Sequence, residues 1–469
     1  MSDSNLLSEA INQHQLGNLA KANEIYSSVL AIDPNHLQAL CLSGALAQQA
    51  GDFTRAIALF MKAKQLSPAL PAIYLQLGIC HSHIGELETA NALYKQASLL
   101  APNQIEPMVN LANNLTKLHQ FQEALEVYEQ ALLINPTSAL LNYNVGTLFL
   151  KSMKPEDAQL WLRKSIALDA NNTSAWNSLG VALTELGQLE LALDAYNKAI
   201  YFNPQFEEPL FNSHTVLIDL GRSSEAILAL EKVLKLAPSN PTYRFFLGLL
   251  QTYTGDSHTG NSTLDSIANE EGAFAEIASW EYLKTLDLQS AVLVGSSTKT
   301  IDIAFDEAKL DGLVLEFGVC NGKSIRYIAS LTDSKVHGFD SFEGIPENWN
   351  SEPSGSYSTG GQLPTVPNNV ILYQGWFDQT IPPFKKQNTD PIRFINIDCD
   401  LYSSTKTIFD LLGSQIVSGT VIVFDELIGY QSWKEDEFKA FQEAVLQYRW
   451  QYKVLCFSFA TKQVAIKII

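Results

Sequence analysis

The sequence predicts two architectures in one multidomain chain. An all-α repeat solenoid comes first, and an α/β domain with a mostly parallel sheet and a C-terminal antiparallel hairpin follows. Three observations carry this expectation. Residues of the first half recur at a fixed interval. In the second half, short runs of Val, Ile, Leu and Phe alternate with helix-length segments. Carboxylates stand where several of those apolar runs stop.

The interval in the first half is 34 residues. Pro34, Pro68, Pro102 and Pro136 share it, and Pro204 and Pro238 resume the series after Ala170. Gly17, Gly51, Gly85, Gly187, Gly221 and Gly255 keep the same spacing, with His119 and Met153 as exceptions. Ala22, Ala56, Ala90, Ala124, Ala158, Ala192 and Ala226 form an unbroken third series. Aromatics follow four residues later at Tyr26, Phe60, Tyr94, Tyr128 and Tyr196. This phasing predicts seven full repeats over about 3–240 and a degenerate eighth opening at TYRFFLGLLQTYTGD. Each unit reads as two amphipathic helices, with a glycine at the turn and a proline near the end of the second. Small alanines allow close helix approach, and the aromatics fill the space between. Stacked units would present a concave face, which suits a protein or peptide partner. A rigid spacer or a dimerisation arm is the competing expectation, and the latter would make the protein a homo-oligomer. His81 and His83 are two apart on an expected helix and do not share a face, so no metal site is expected there.

The sixth repeat, SAWNSLGVALTELGQLELALDAYNKAIYFNP, carries Trp176, Leu179, Gly180, Gly187, Ala192, Tyr196, Ala199 and Pro204. In these residues the pattern resembles the tetratricopeptide family.

Bulk properties narrow the function classes. At 469 residues the chain exceeds one ordinary core. Hydrophobic content of 46% with 17% charged residues is globular. A formal net charge of −19 argues against a nucleic-acid or anionic-membrane ligand, because phosphate contacts need clustered Lys and Arg. Five scattered cysteines without CxxC spacing suit reduced thiols rather than disulfides or zinc. The start, MSDSNLLSEA, lacks a basic stretch followed by an apolar core, and no uncharged apolar run reaches the roughly 18 residues of a membrane span. These features predict a cytoplasmic protein without a membrane span.

The repeat domain is expected over 1–270, a helical bridge containing GAFAEIASWEYLKTLD over 271–296, and the α/β domain over 297–469. SSTKTIDIAFDEAKLDG reads as a capped helix ending at Gly312. Then LVLEF, KVHGF, FINI and TVIVF read as strands and VILYQGWF contains another, with helices at GKSIRYIASL, STKTIFDLLGSQI and KEDEFKAFQEAVLQY. KVLCFSF and QVAIKI close the chain as a hairpin. Continuous apolar runs of this kind are covered on both faces, and ligands of such sheets lie beyond the carboxyl ends of the strands.

LVLEFGVCNGKSIRYI runs strand, glycine-containing turn, helix. Gly318 and Gly322 would let backbone approach a ligand, and Ser324 follows at the helix start. The spacing is not GxGxxG. Glu316 within the turn motif would repel a pyrophosphate but suits a cationic ligand such as S-adenosylmethionine, which carries an ammonium and a sulfonium. Asp340, with Ser341 beside it, ends the second of these strands 24 residues after Glu316, where an acid can hold ribose hydroxyls. Capping the next helix is its competing role. Trp376 and Phe377 would border an adenine or pack in the core. The loop PENWNSEPSGSYSTGGQLP is long enough for a mobile lid, with a surface insertion as the alternative.

Asp398 ends one strand, and Asp425 and Glu426 end the next. Neighbouring parallel strands lie about 4.8 Å apart, so these carboxylates can converge. They repel one another unless protonated or bridged by a cation, and oxygen ligands suit magnesium. Asp400 either joins this site or caps the helix opened by SST. Cys399, between the two acids, reads as packing.

Five segments in order, LEFGVCNGKSI, GFDSFEGIPENW, GWFDQTIP, IDCDLYSST and VFDELIGY, resemble the macrocin O-methyltransferase family of class I S-adenosylmethionine-dependent enzymes, over about 297–469. The resemblance implies a Rossmann-like methyltransferase that methylates hydroxyls, including sugar hydroxyls, with a divalent cation. It maps the cofactor motif onto Glu316, Gly318 and Gly322, the ribose acid onto Asp340, and the metal ligands onto Asp398, Asp425 and Glu426. The family more often has Asp-Asp at the last pair, so Glu426 is a departure.

Together these readings predict methyl transfer to a hydroxyl of a small-molecule, sugar or glycan acceptor. Asp398 is the expected base, with Asp400 behind it. His337, the lone histidine of this half, lies inside a strand, and Lys406 and Lys434 read as solvated. The alternative function is a tetratricopeptide scaffold with an inactive methyltransferase-like domain.

Overall fold

The structure, a computed structural model, describes residues 3–469, and absences and counts below refer to those residues. The chain forms two compact units. One comprises Met1–Ser152 with Lys164–Ala170, and the other Met153–Arg163 with Asn171–Ile469. The first holds the helical pairs from Asp3–Gln15 with Leu19–Ile32 to Ile105–Lys117 with Phe121–Ile134, and then the helix Ala139–Lys151. In the second, the pairs Thr173–Glu185/Leu189–Phe202, Glu207–Asp219/Ser223–Leu236 and Pro241–Tyr253/Ser257–Asp265 share one body with the sheet.

The 34-residue phasing has a direct cause in the backbone. The glycines of that series have φ between 67° and 104°, and the two exceptions, His119 and Met153, hold the same left-handed turn at φ 57°. A side chain there is strained by about 1 kcal/mol or more, which glycine avoids. The aromatic series fills the space over small residues of the preceding helix. A Cβ on Gly180 would stand 2.4 Å from the Tyr196 ring. The eighth pair has a second helix of only nine residues, as a degenerate repeat should.

The sheet has eight strands: β1 Val292–Leu293, β2 Leu313–Phe317, β3 Val336–Asp340, β4 Val370–Gln374, β5 Ile392–Ile397, β6 Val421–Phe424, β7 Tyr452–Phe457 and β8 Val464–Ile468. Their order is β1-β7-β8-β6-β5-β2-β3-β4, and β8 alone runs antiparallel to its neighbours. Every residue of β2 and β6 is buried, because helices cover both faces. The chain runs from β2 outward through β3 and β4, then returns to β5 on the other side of β2. That reversal opens a crevice beyond β2 and β5, where ligands of such sheets bind.

Three details differ from expectation. The helix capped by Ser296, whose hydroxyl accepts from Lys299 N, ends at Glu307 rather than reaching Gly312. The strand β1 adds an edge beside β7. After β4 the chain forms a helix, Phe377–Gln387, with Pro382 and Pro383 inside it. Each proline removes one N–H that would have reached the carbonyl four residues back. Those carbonyls belong to Asp378 and Gln379, both exposed residues in the first turn of the helix. No helix is long and apolar enough among the described residues to cross a membrane.

Candidate functional site

A cavity of about 990 Å³ opens at the carboxyl ends of β2, β3, β5 and β6. The turn after β2 shapes its floor. Gly318, at φ 90°, lies so close to β5 that a Cβ would stand 1.6 Å from the Asp398 carbonyl oxygen. Ladder bonds continue past the strand ends, from Asp398 N to Phe317 O at 2.8 Å and from Asp425 N to Ile397 O at 2.8 Å. Asp398 and Asp425 therefore stand at equivalent heights on adjacent strands.

Asp340 organises the turn. Its Oδ2 accepts from Val319 N at 2.8 Å and Cys320 N at 2.7 Å, and its Oδ1 accepts from Phe342 N at 2.6 Å. It is not a helix cap, since no helix follows β3 before β4. Ser341, Trp376 and Phe377 line the cavity with Asp340 and Ser324. Phe377 also meets the ring of Phe317 edge-on, so it serves the core as well as the cavity. Glu316 and Gly322 stand behind the wall. Glu316 is fully buried, its Oε1 accepts from Ser324 Oγ at 2.5 Å, and its Oε2 has no partner.

Burial dominates the electrostatics. It pushes Glu316 up to about 8, with Ser324 opposing and Asp425 adding to the rise. Asp398 is held well above the usual carboxylate range, first by burial and then by Asp425 and Asp400. Asp400 is pushed up to about 8 by burial, then by Glu426 and Asp425. Glu437, fully buried, joins the cluster and is likewise raised by burial and by Asp400.

The three expected cation ligands are not assembled as a triad. Asp398 and Asp425 line the floor together, but Asp425 accepts from Gln463 Nε2 at 2.5 Å and Glu426 is paired with Lys462 Nζ at 3.1 Å. Among the described residues no three His, Cys, Asp or Glu side chains are placed to hold a metal ion. A cation at this floor would need Glu426 to leave Lys462.

The helix after β5 starts at Tyr402 with Leu401 at its cap position, and no side chain caps it. The capping role considered for Asp400 is therefore absent. Asp400 instead sits in the left-handed region at φ 61° and lines the cavity. His337 is buried beside Tyr373, and burial lowers it to about 4. Lys406 pairs with Asp410, and Lys434 lies over the Trp433 ring. The long loop after β3 is tied down by Ser403 Oγ to Glu347 at 2.5 Å and by Trp349 Nε1 to Asp436 at 3.2 Å. Its Ile345 and Tyr357 line the cavity.

Sequence reasoning missed the contribution of the repeats. Residues 117, 151, 185, 219 and 253 are 34 apart and read Lys, Lys, Glu, Asp, Tyr. The last three reach the α/β region. Glu185 Oε2 pairs with Lys323 Nζ at 2.5 Å. Asp219 accepts from Gly295 N at 2.6 Å and Ser296 Oγ at 2.5 Å. Tyr253 Oη accepts from Leu293 N at 3.1 Å. The sign change along this one repeat position is a signal the sequence contains. Thr184, Phe211, Asn212 and Phe246 from the same repeats line the cavity wall.

Comparison with known proteins agrees with this division. Residues 315–427 match the family described as a methyltransferase domain. Residues 47–115, 105–138, 173–206 and 215–240 match tetratricopeptide repeat families. The chain is 33% identical over 109 residues to Protein O-mannosyl-transferase TMTC3 of Homo sapiens, covering 22% of this chain and 12% of that protein. It is 26% identical over 107 residues to Superkiller protein 3 of Saccharomyces cerevisiae, covering 23% of this chain and 7% of that protein. The chain thus spans only a small part of these relatives' length. A solved tetratricopeptide repeat protein from Parabacteroides merdae is similar at 14% identity and a TM-score of 0.46, over 53% of this chain and 99% of that one. The chain carries tetratricopeptide repeats and, after them, a methyltransferase domain.

Proposed function

We propose that the protein is an S-adenosylmethionine-dependent O-methyltransferase, of the macrocin O-methyltransferase kind, acting on a hydroxyl of a sugar or natural-product acceptor. The observation that carries the reading is the crevice at Gly318 and Asp398, flanked by buried carboxyls and lined by aromatic residues. The turn after β2 allows backbone contact, Asp340 fixes that turn, and Trp376 with Phe377 offers apolar faces for an adenine. Glu316 stands behind the cavity wall and, by accepting from Ser324 Oγ, holds this lining residue in place. These features support a donor seat lined by Gly318, Ser324, Asp340, Ser341, Trp376 and Phe377, with Glu316 and Gly322 behind it.

When bound, S-adenosylmethionine supplies an electrophilic methyl group on a sulfonium. The chain's own task is to hold the acceptor hydroxyl and take its proton. Asp398 is the proposed base because it lines the cavity floor at the end of β5 against the Gly318 turn. In its ionised form a carboxylate whose proton affinity is raised by burial accepts a proton more readily than a solvated one. Its proton acceptance leaves the hydroxyl oxygen free to bond the methyl carbon as the carbon–sulfur bond breaks. Asp400 sits behind it as the second acid of the site. No step is assigned to magnesium, since Glu426 is engaged with Lys462.

In this proposal residues 1–270 bind a protein or peptide partner, 271–296 bridge, and 297–469 carry the chemistry. The five cysteines stand as free thiols, which supports a cytoplasmic setting. The buried carboxyls speak against an inactive scaffold, because a disused site has no reason to keep such costly groups. Transfer of a labelled methyl group to a panel of glycosides and phenols, with magnesium and with a chelator, tests the function. Labelled product formed with the chelator would confine the chemistry to the chain's own groups. Absence of product across the panel in both conditions would count against the O-methyltransferase reading.

A further inference from the structure

The cavity is strongly acidic, which constrains how a zwitterionic donor can lie in it. Its lining carries Glu185, Glu276, Asp340, Asp378 and the four carboxylates near the ends of β5 and β6, against Lys323 and Lys462 as the lining cations. The methionyl end of S-adenosylmethionine bears a carboxylate, which must avoid those acids. Lys462 lies between β7 and β8, is bound to Glu426, and sits over the Tyr430 ring. Lys323 opens the helix Lys323–Ser330 directly after the glycine turn. Its neighbour Ser324 donates to Glu316, and Glu316 pairs in register with Asn396 of β5. Asn396 is 1% exposed, lines the cavity, and its Oδ1 has no partner. A cation and an unpartnered acceptor thus stand on adjoining elements, matching the carboxylate and the ammonium of a methionyl group.

Resting on the donor reading above, we propose that Lys323 receives the donor's carboxylate and that Glu185, from the sixth repeat, positions it. Without Glu185 the Lys323 ammonium would be free to turn toward Asp425 and Asp398, the other carboxyls that act on it, and leave the donor's carboxylate. A repeat residue therefore completes the donor site, and the sixth repeat is part of the methyl-transfer machinery.

Calorimetry with two probes tests this on the full chain. S-adenosylhomocysteine keeps the carboxylate and ammonium, while 5′-methylthioadenosine lacks both. Lys323→Met is expected to weaken S-adenosylhomocysteine binding roughly tenfold or more and to leave 5′-methylthioadenosine binding unchanged. Lys323→Arg should restore much of the loss. Glu185→Gln should weaken the first probe by roughly threefold or more and spare the second. Equal losses for both probes would indicate a structural role and overturn the proposal, as would no loss for either. Unchanged or tighter binding in Glu185→Gln would overturn the positioning role. If the unsubstituted chain binds neither probe, the donor reading itself fails, an outcome distinct from any variant effect.

Discussion

Gly318 and Asp398 meet backbone to backbone, and a Cβ on residue 318 would stand 1.6 Å from the Asp398 carbonyl oxygen. The glycine is also at φ 90°. Gly318→Ala therefore faces both a conformational penalty and a clash with main chain that cannot rotate away. We expect a loss of about 2–4 kcal/mol in urea unfolding, with loss of donor binding. An unchanged midpoint would mean that the turn and β5 are not in this contact.

The buried carboxyls set a pH dependence. Glu316 is raised by burial from 4.5 to about 8, and Asp400 from 3.8 to about 8. The folded chain binds these protons more tightly than the unfolded chain. Their contribution is full below the ordinary carboxylate range and is lost as pH rises toward about 8. Melting temperature should fall between about pH 5 and pH 8, and Glu316→Gln should flatten that slope. A slope unchanged by the substitution would show that Glu316 does not titrate there.

Asp398→Asn removes the proposed base while keeping shape. Turnover should fall by about two to four orders of magnitude, with donor binding changed only a few-fold. Steady-state kinetics paired with calorimetry separates the two. A parallel loss of binding would make Asp398 a structural residue of the turn.

Tyr196 fills the space over Gly180, and its hydroxyl lies 3.4 Å from Thr184 Oγ1. Tyr196→Ala should cost about 3–5 kcal/mol, and Tyr196→Phe about 1 kcal/mol. Because these repeats share a compact unit with the sheet, the alanine variant should lower the melting temperature of the methyltransferase domain too. Separate transitions for the two would contradict a shared body.

Much of this was legible in the residues because the physics is local. A helical pair buries its face only by repeating, so the glycine turns and aromatic plugs recur every 34 positions. A doubly covered strand must be apolar, so an acid at its end marks the sheet's edge. What was not legible depends on long-range partners. The Phe377–Gln387 helix holds Pro382 and Pro383, whose missing N–H groups would have met carbonyls of two exposed residues, Asp378 and Gln379. Glu426 is engaged by Lys462, 36 residues later in a hairpin turn. Glu185 looks like any surface acid until Lys323 is placed beside it. Asp400 reads from its spacing as either a cap or a site residue, and only the structure, with Leu401 at the cap position and the helix starting at Tyr402, removes the first.

The most direct test of the central claim is calorimetric titration of the full chain with S-adenosylmethionine. One site per chain with a dissociation constant on the order of micromolar, weakened strongly by Asp340→Ala, is the predicted result. No heat of binding at roughly millimolar donor would contradict the account.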